Sequence, residues 1–206
     1  KVYVATPCYD SMRVETCVSL IDTFSTLGRH GIECKFKSVK TSLVTHGRNL
    51  LTAGFLNSGF DYMLFVDADI EFKPEAVMRM LVPKKDIICT PYRVKNEPEV
   101  KEYAVKFKDS QDIKILPWDI VEIEEGPAGC MLIHRRVYEG LMKKRPDLKI
   151  KFDKPTQEKM NKEIGAEDAI DKYMYNFWDT TFNLDTGEWK GEDLSFCELA
   201  REHRFR

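Results

Sequence analysis

The chain has no glycine-rich phosphate loop, no CxxC pair, no Cys/His cluster at zinc-finger spacing, no internal repeat and no low-complexity tract. Its cysteines, Cys8, Cys17, Cys34, Cys89, Cys130 and Cys197, are scattered. That excludes a zinc ribbon or finger and reads as reduced core thiols in a cytosolic compartment. No apolar run is long enough to cross a bilayer, and no basic stretch leads into an apolar signal segment at the start, so no membrane-spanning segment is expected. Positive charge is not in excess either: 32 Lys and Arg stand against 34 Asp and Glu, a net charge of -2. No overall field therefore draws the protein to nucleic acid or anionic lipid, and an anionic partner must be held by local charge or a metal. The start at Lys1 rather than Met raises the expectation of further domains on the same polypeptide.

What is present is enough for a core. With 206 residues and 43% hydrophobic content, the expectation is one domain spanning 1–206. Val2, Tyr3 and Val4 begin a β-branched run that Pro7 is expected to stop. Val14, Val18, Ile21 and Phe24 recur at helical spacing, with Gly28 as the expected stop. Ile32, Cys34 and Phe36 alternate with charged residues, as in a half-exposed strand. A second helix is expected over 48–57, and Tyr62 to Val66 reads as a central strand, apolar on both faces. Pro74 suits the first turn of a third helix, and residues 86–90 read as another buried strand.

This alternation predicts an α/β fold: a mostly parallel central sheet flanked by helices, whose ligands gather outside the strands' C-terminal ends. The C-terminal half reads as a small antiparallel addition without a second core, from runs at 103–107, 120–123 and 130–133. Residues 143–165, polar and interrupted by Pro146 and Pro155, are expected to form a mobile loop, a possible lid.

LFVDADI, residues 64–70, sets two carboxylates one position apart at the end of the central strand. In extended backbone, positions i and i+2 face one side, so Asp67 and Asp69 are expected to converge on a point where a hard divalent cation removes their repulsion. Ala68 between them leaves room for a ligand to approach the backbone. Downstream, GEDLSFC at 191–197 opens a helix, where Glu192 and Asp193 suit an N-terminal cap and leave a catalytic role open. Arg48, on the first turn of its helix, opposes the helix dipole and calls for an anion nearby. Trp178 and Trp189 suit packing at least as well as stacking on a ligand.

Taken in order, TPCYD, HGRN, FVDADI, EGPAGC and GED resemble the GT-A fold glycosyltransferases, and are similar in particular to glycosyltransferase domains of large DNA viruses such as the chloroviruses. The resemblance spans nearly the whole chain. It implies a Rossmann-like GT-A domain with a nucleotide-binding half, 1–95, and a sugar- and acceptor-binding half, 96–206. It further implies a metal-dependent transferase that moves a sugar from a nucleotide-sugar donor, UDP-sugar ahead of GDP-sugar, to a hydroxyl of a glycan or glycoprotein. Work in the cytoplasm, that of a host cell for a viral protein, is the corresponding expectation. Carried over by position, Thr6, Pro7, Tyr9 and Asp10 hold base and ribose, and Arg48 meets phosphate or base. Asp67 contacts ribose or metal, and Asp69 binds Mn²⁺ or Mg²⁺ directly. His203 is the candidate third metal ligand, Gly126, Ala128 and Gly129 let the donor sugar approach backbone, and Asp193, with Glu192 as alternate, is the candidate general base of an inverting enzyme; in a retaining one the same acids would bind sugar hydroxyls. Two other classes stay open: a sugar-phosphate nucleotidyltransferase, against which the glycine-poor TPCYDSMR weighs, and a non-catalytic nucleotide- or carbohydrate-binding domain.

Overall fold

The computed structural model describes residues 1–92, 103–107, 113, 115–164 and 170–205. Strands β1 (Val2–Cys8), β2 (Cys34–Lys40), β3 (Tyr62–Val66) and β4 (Ile87–Cys89) alternate with helices α1 (Val14–Arg29), α2 (Val44–Ser58) and α3 (Pro74–Leu81). Four two- or three-residue strands follow: β5 (Lys106–Phe107), β6 (Ile115–Leu116), β7 (Ile120–Val121) and β8 (Ile123–Glu125). Then come β9 (Cys130–His134), α4 (Arg135–Lys144), α5 (Lys154–Ile164), the strands β10 (Thr181–Phe182) and β11 (Trp189–Lys190), and α6 (Glu192–Glu202).

The central sheet has the order β2-β1-β3-β9-β4. β1 pairs in parallel with β2 and β3, while β9 runs antiparallel to both its neighbours. This is the mixed, mostly parallel Rossmann-like sheet the sequence predicts, with one change. The run at 130–133 is not a peripheral addition but a strand inserted between β3 and β4. Cys130, Met131, Leu132 and Ile133 are all buried, because an inner strand is covered on both faces. The small antiparallel pairs are β5 with β8, β6 with β7, and β10 with β11. β5 is shorter than the expected 103–107 run.

Period-two alternation divides the core between the two faces of the sheet. Tyr3, Ala5, Met63, Phe65, Met131 and Ile133 pack on one face with α2, α4, Trp178 and Phe196. Val2, Val4, Leu64, Val66, Cys130 and Leu132 pack on the other with Leu20, Leu27, Val77 and Met80 of α1 and α3. Pro7 does not end β1, which pairs with β2 through Cys8. The Val2 N–H points to β2, so those of odd residues point to β3, whose pairing with β1 ends at Ala5. The N–H that Pro7 lacks therefore breaks no ladder bond.

Two helices depart from the sequence reading. On α1, Val14, Val18 and Ile21 are exposed, and Thr16, Ser19, Leu20, Thr23 and Leu27 face inward. The hydroxyls decide the orientation: Thr16 Oγ1 donates to the Ala68 carbonyl at 3.2 Å, and Ser19 Oγ accepts the Phe72 N–H at 3.1 Å. Residues 154–164, expected as loop, form α5. Asp153 Oδ1 accepts the Thr156 N–H at 2.9 Å, so Pro155 sits in a first helical turn, where its missing N–H costs nothing. Met160 of α5 is buried in the α2-side core. The cysteines are all free thiols, but only Cys130 is fully buried. No helix among the described residues is long and apolar enough to cross a membrane.

Candidate functional site at the switch point of the sheet

From β1 the chain passes through α1 to β2 on one side, then through α2 back across β1 to β3 on the other. That reversal opens a crevice beyond the C-terminal ends of β1 and β3, the place where open α/β sheets take ligands. A cavity of about 270 Å³ lies there, lined by Pro7, Cys8, Tyr9, Thr41, Ser42, Val44, Asp67, Ala68 and Asp69. A hollow of about 490 Å³ by Glu139, Met142, Lys143 and Tyr175 lies along α4, which begins where β9 ends, at the opposite edge of the sheet. It lacks the converging polar groups of the crevice.

The predicted residues divide into three groups. Pro7, Tyr9, Asp67, Ala68 and Asp69 line the cavity. Thr6 does not: it is fully buried, with its hydroxyl unpartnered. Asp10 is exposed and pairs with Lys40 at 3.2 Å. Cys8, Thr41, Ser42 and Val44 were missed. Because β2 is parallel to β1, the loop that follows it had to open on the same end, and the Thr41-Ser42 pair was the available signal. Thr41 Oγ1 accepts the Leu43 N–H at 3.2 Å and donates to the Leu43 carbonyl at 2.9 Å, shaping this wall.

Asp67-Ala68-Asp69 is not extended. β3 ends at Val66, the three residues enter a turn, and the Ile70 N–H reaches the Asp67 carbonyl at 3.3 Å. The i, i+2 argument therefore does not apply; a turn brings both carboxylates to the cavity. The turn is pinned from α1's side by the Arg13 N–H, 2.8 Å from the Ala68 carbonyl, which Thr16 also contacts.

Arg48 is 3% exposed and faces inward. It donates through Nη2 to Asp67 Oδ1 at 2.8 Å and through Nε to Glu192 Oε1 at 3.2 Å. Its guanidinium lies over the rings of Phe65, at 5.0 Å, and Trp178, at 5.5 Å. Burial works against its charge, but Asp67 and Glu192 outweigh it and hold the guanidinium more firmly protonated than usual. α2 begins at Val44 rather than the expected 48, so Arg48 lies in its second turn and the dipole argument does not apply; burial is what calls for anions here, and the protein's own DxD and GED segments supply them.

Glu192 is committed to Arg48, and Asp193 differs from it. Its Oδ1 accepts the Leu194 N–H at 2.8 Å, and burial, reinforced by the Glu192 charge, pushes its carboxyl above the usual carboxylate range. Tyr92 completes this corner, in a position that sequence reading did not flag. Its phenol is held neutral to unusually high pH, chiefly by burial, with Asp67 and Asp193 adding to the effect.

The glycines expected to admit a donor sugar already accommodate side chains. A Cβ on Gly129 would meet the Tyr92 hydroxyl at 2.6 Å, and one on Gly126 would collide with Cys89 Sγ. Ala128 is fully buried. Trp178 is also fully buried, stacked on Phe196 at a centroid distance of 4.1 Å, and its indole N–H donates to Thr52 Oγ1 at 3.0 Å. It is a packing residue; Trp189 is 66% exposed.

His203 caps the C-terminal end of α6, with Nδ1 2.9 Å from the Leu199 carbonyl, whereas Glu192 at the other end of the helix reaches the site. Eleven residue steps, 192 to 203, at about 1.5 Å each separate them, so His203 is not a metal ligand alongside Asp69. Among the described residues no group of three His, Cys, Asp or Glu side chains is arranged to hold a metal ion. The donor set thus fits no all-protein cage. It does fit the Mg²⁺ or Mn²⁺ mode in which one or two carboxylates share the ion with substrate phosphates, with Asp69 and Asp67 at the cavity.

In structure the chain is similar to A197 from STIV, at 20% identity and a TM-score of 0.49, with 98% of this chain and 78% of that one covered. It is also similar to 4-diphosphocytidyl-2C-methyl-D-erythritol synthase from Anaerococcus prevotii, at 11% identity and a TM-score of 0.37, with 82% and 85% covered. No protein-family model and no curated protein matches the sequence. The class of the fold, a mixed α/β Rossmann-like sheet, therefore rests on the strand order and the crevice it opens.

Proposed function

We propose that the chain is a GT-A type glycosyltransferase that moves a sugar from a nucleotide-sugar, with UDP-sugar the first donor to test, to a hydroxyl of a glycan or glycoprotein. The observation that carries this reading is Arg48, which ties Asp67 of the DxD segment to Glu192 of the GED segment and so gathers remote acids at one crevice. A structural ion pair alone would account for Arg48. It would not account for Asp69, Tyr9 and two loop hydroxyls lining a cavity beside it.

In this reading Tyr9, 73% exposed, offers a ring face to the nucleobase, and Thr41 and Ser42 offer hydroxyls to the nucleoside. Arg48 holds the Asp67 carboxylate fixed in direction, so that little reorganisation is needed when the donor arrives. A divalent ion held by Asp69, with Asp67 beside it, would supply Lewis-acid stabilisation of the charge that grows on the departing diphosphate. Asp193 accepts the acceptor's hydroxyl proton as the new C–O bond forms and the bond to the diphosphate breaks with its electron pair. Its raised affinity for protons makes it a better base than an ordinary surface carboxylate. Glu192, bound to Arg48, is left as a positioning residue.

The test is nucleotide release from a panel of UDP- and GDP-sugars with and without Mn²⁺. Metal-dependent release that is lost in Asp69→Ala supports the reading, as does Asp193→Asn that still binds donor but fails to transfer. Pyrophosphate release from nucleoside triphosphate and sugar phosphate would instead identify a nucleotidyltransferase. Ligand binding without either reaction would identify a binding module.

A further inference from the structure

The hairpin formed by β10 and β11 leads directly into α6 and, among the described residues, is fastened by its Thr181–Lys190 face. Thr181 Oγ1 lies 3.0 Å from Ser195 Oγ, and Lys190 Nζ donates to Glu125 at 3.3 Å and Glu198 at 3.0 Å. Thr181 and Lys190 are cross-strand partners, so the next pair, Phe182 and Trp189, points to the opposite side. Those rings are 59% and 66% exposed, and Leu184 in the connecting turn is 88% exposed. Among the described residues neither ring stacks on another aromatic ring or on a cation.

The hairpin is held in shape by its own turn. Asn183 Oδ1 accepts the N–H groups of Asp185 and Thr186 at 2.9 and 3.2 Å. The Asn183 N–H reaches the Glu188 carbonyl, and Gly187, with φ +72°, returns its N–H to the Asn183 carbonyl, both at 2.8 Å. The rings thus stand on a preorganised support. Trp189 also adjoins the site: a Cβ built on Gly191 would sit 3.9 Å from the Trp189 ring and 3.1 Å from Asp193 Oδ1.

We propose that the Phe182–Trp189 face of this hairpin is a saccharide-binding platform that stacks a pyranose ring beside Asp193. Identifying the bound sugar as the acceptor rests on the transferase reading above; the binding itself does not. Two rings and a leucine offer far less than the roughly 800 Å² per partner that a stable protein interface requires. That area suits one or two sugar rings, whose C–H faces pack on aromatic faces.

The experiment is a titration of the ¹⁵N-labelled full chain with maltohexaose, mannohexaose and a galactose hexasaccharide, without nucleotide or metal, while the tryptophan indole N–H signals are followed. The Trp189 signal is expected to move with at least one of them, and that of the buried Trp178 to stay. Trp189→Ala and Phe182→Ala, both at exposed positions, are each expected to weaken the binding by about tenfold with folding intact. A Trp189 signal unmoved by all three sugars, full affinity in Trp189→Ala, or a signal that moves with protein concentration alone would each overturn the proposal. Donor cleavage in the absence of acceptor is measured separately. Its failure alongside sugar binding would overturn the transferase and spare the platform; the converse would do the reverse.

Discussion

Arg48 and Glu192 stand 144 positions apart and meet at 3.2 Å under the C-terminal edge of the sheet. Arg48→Met leaves Asp67 and Glu192 without their counter-charge. Breaking a buried pair from one side costs about 3–5 kcal/mol, and the low end applies here because Asp67 keeps 30% side-chain exposure and Glu192 16%. Denaturant unfolding should show a loss of about 3 kcal/mol, of which adding Asp67→Asn and Glu192→Gln restores a part, since no unpaired charge then remains. An unchanged midpoint in Arg48→Met would show the pair to be energetically idle.

Asp193 carries a pH signature. Its carboxyl binds its proton more tightly in the folded chain than in the unfolded one. The native state therefore holds the extra proton, and the stability this lends is complete below the ordinary Asp range and lost as pH rises through the raised native value. Asp193→Asn, which keeps an oxygen for the Leu194 N–H, removes that loss. The variant should gain on wild type as pH rises from about 3 to neutrality, measured by thermal unfolding across that range. Parallel curves would mean that Asp193 is an ordinary carboxylate.

Gly129 and Tyr92 occupy one space. Gly129→Ala drives a methyl into the Tyr92 ring, an overpacking worth about 1–3 kcal/mol. In a Tyr92→Ala background the same change should cost almost nothing, giving a coupling energy of about 1 kcal/mol or more in a double-mutant cycle. Additive losses would show that Tyr92 does not cover Gly129 in solution.

Tyr9 separates binding from folding. Because its ring is exposed, Tyr9→Ala should leave stability within about 0.5 kcal/mol of wild type. A base stacked on that ring is worth about 1–3 kcal/mol, so UDP affinity by calorimetry should fall about tenfold or more. Equal affinity would move the base elsewhere in the crevice.

The sequence by itself determined those features set by neighbours along the chain. Tyr62–Val66 is a strand because five successive apolar residues suit burial on both faces, and α3 begins at Pro74 because a proline is preorganised there. The alternation of strand and helix up to β4 was enough to place the DxD segment at the ligand-bearing edge. Tertiary structure decided what depends on partners remote in sequence. The apolar spacing of Val14, Val18 and Ile21 marked a helix but not its buried face, which the bonds from Thr16 and Ser19 to the Ala68–Phe72 loop selected instead. Arg48 was read as needing an anion from a first-turn position that α2's start at Val44 removes, and only folding showed that it is buried and that its anions are Asp67 and Glu192. The insertion of β9 joined β4 to the rest of the sheet, and Tyr92 claimed the space over Gly129. Local pattern fixes dihedral preference and periodicity, whereas partner choice is settled by which buried charges and hydrogen-bonding groups can be satisfied together, and that sum is taken over the whole fold.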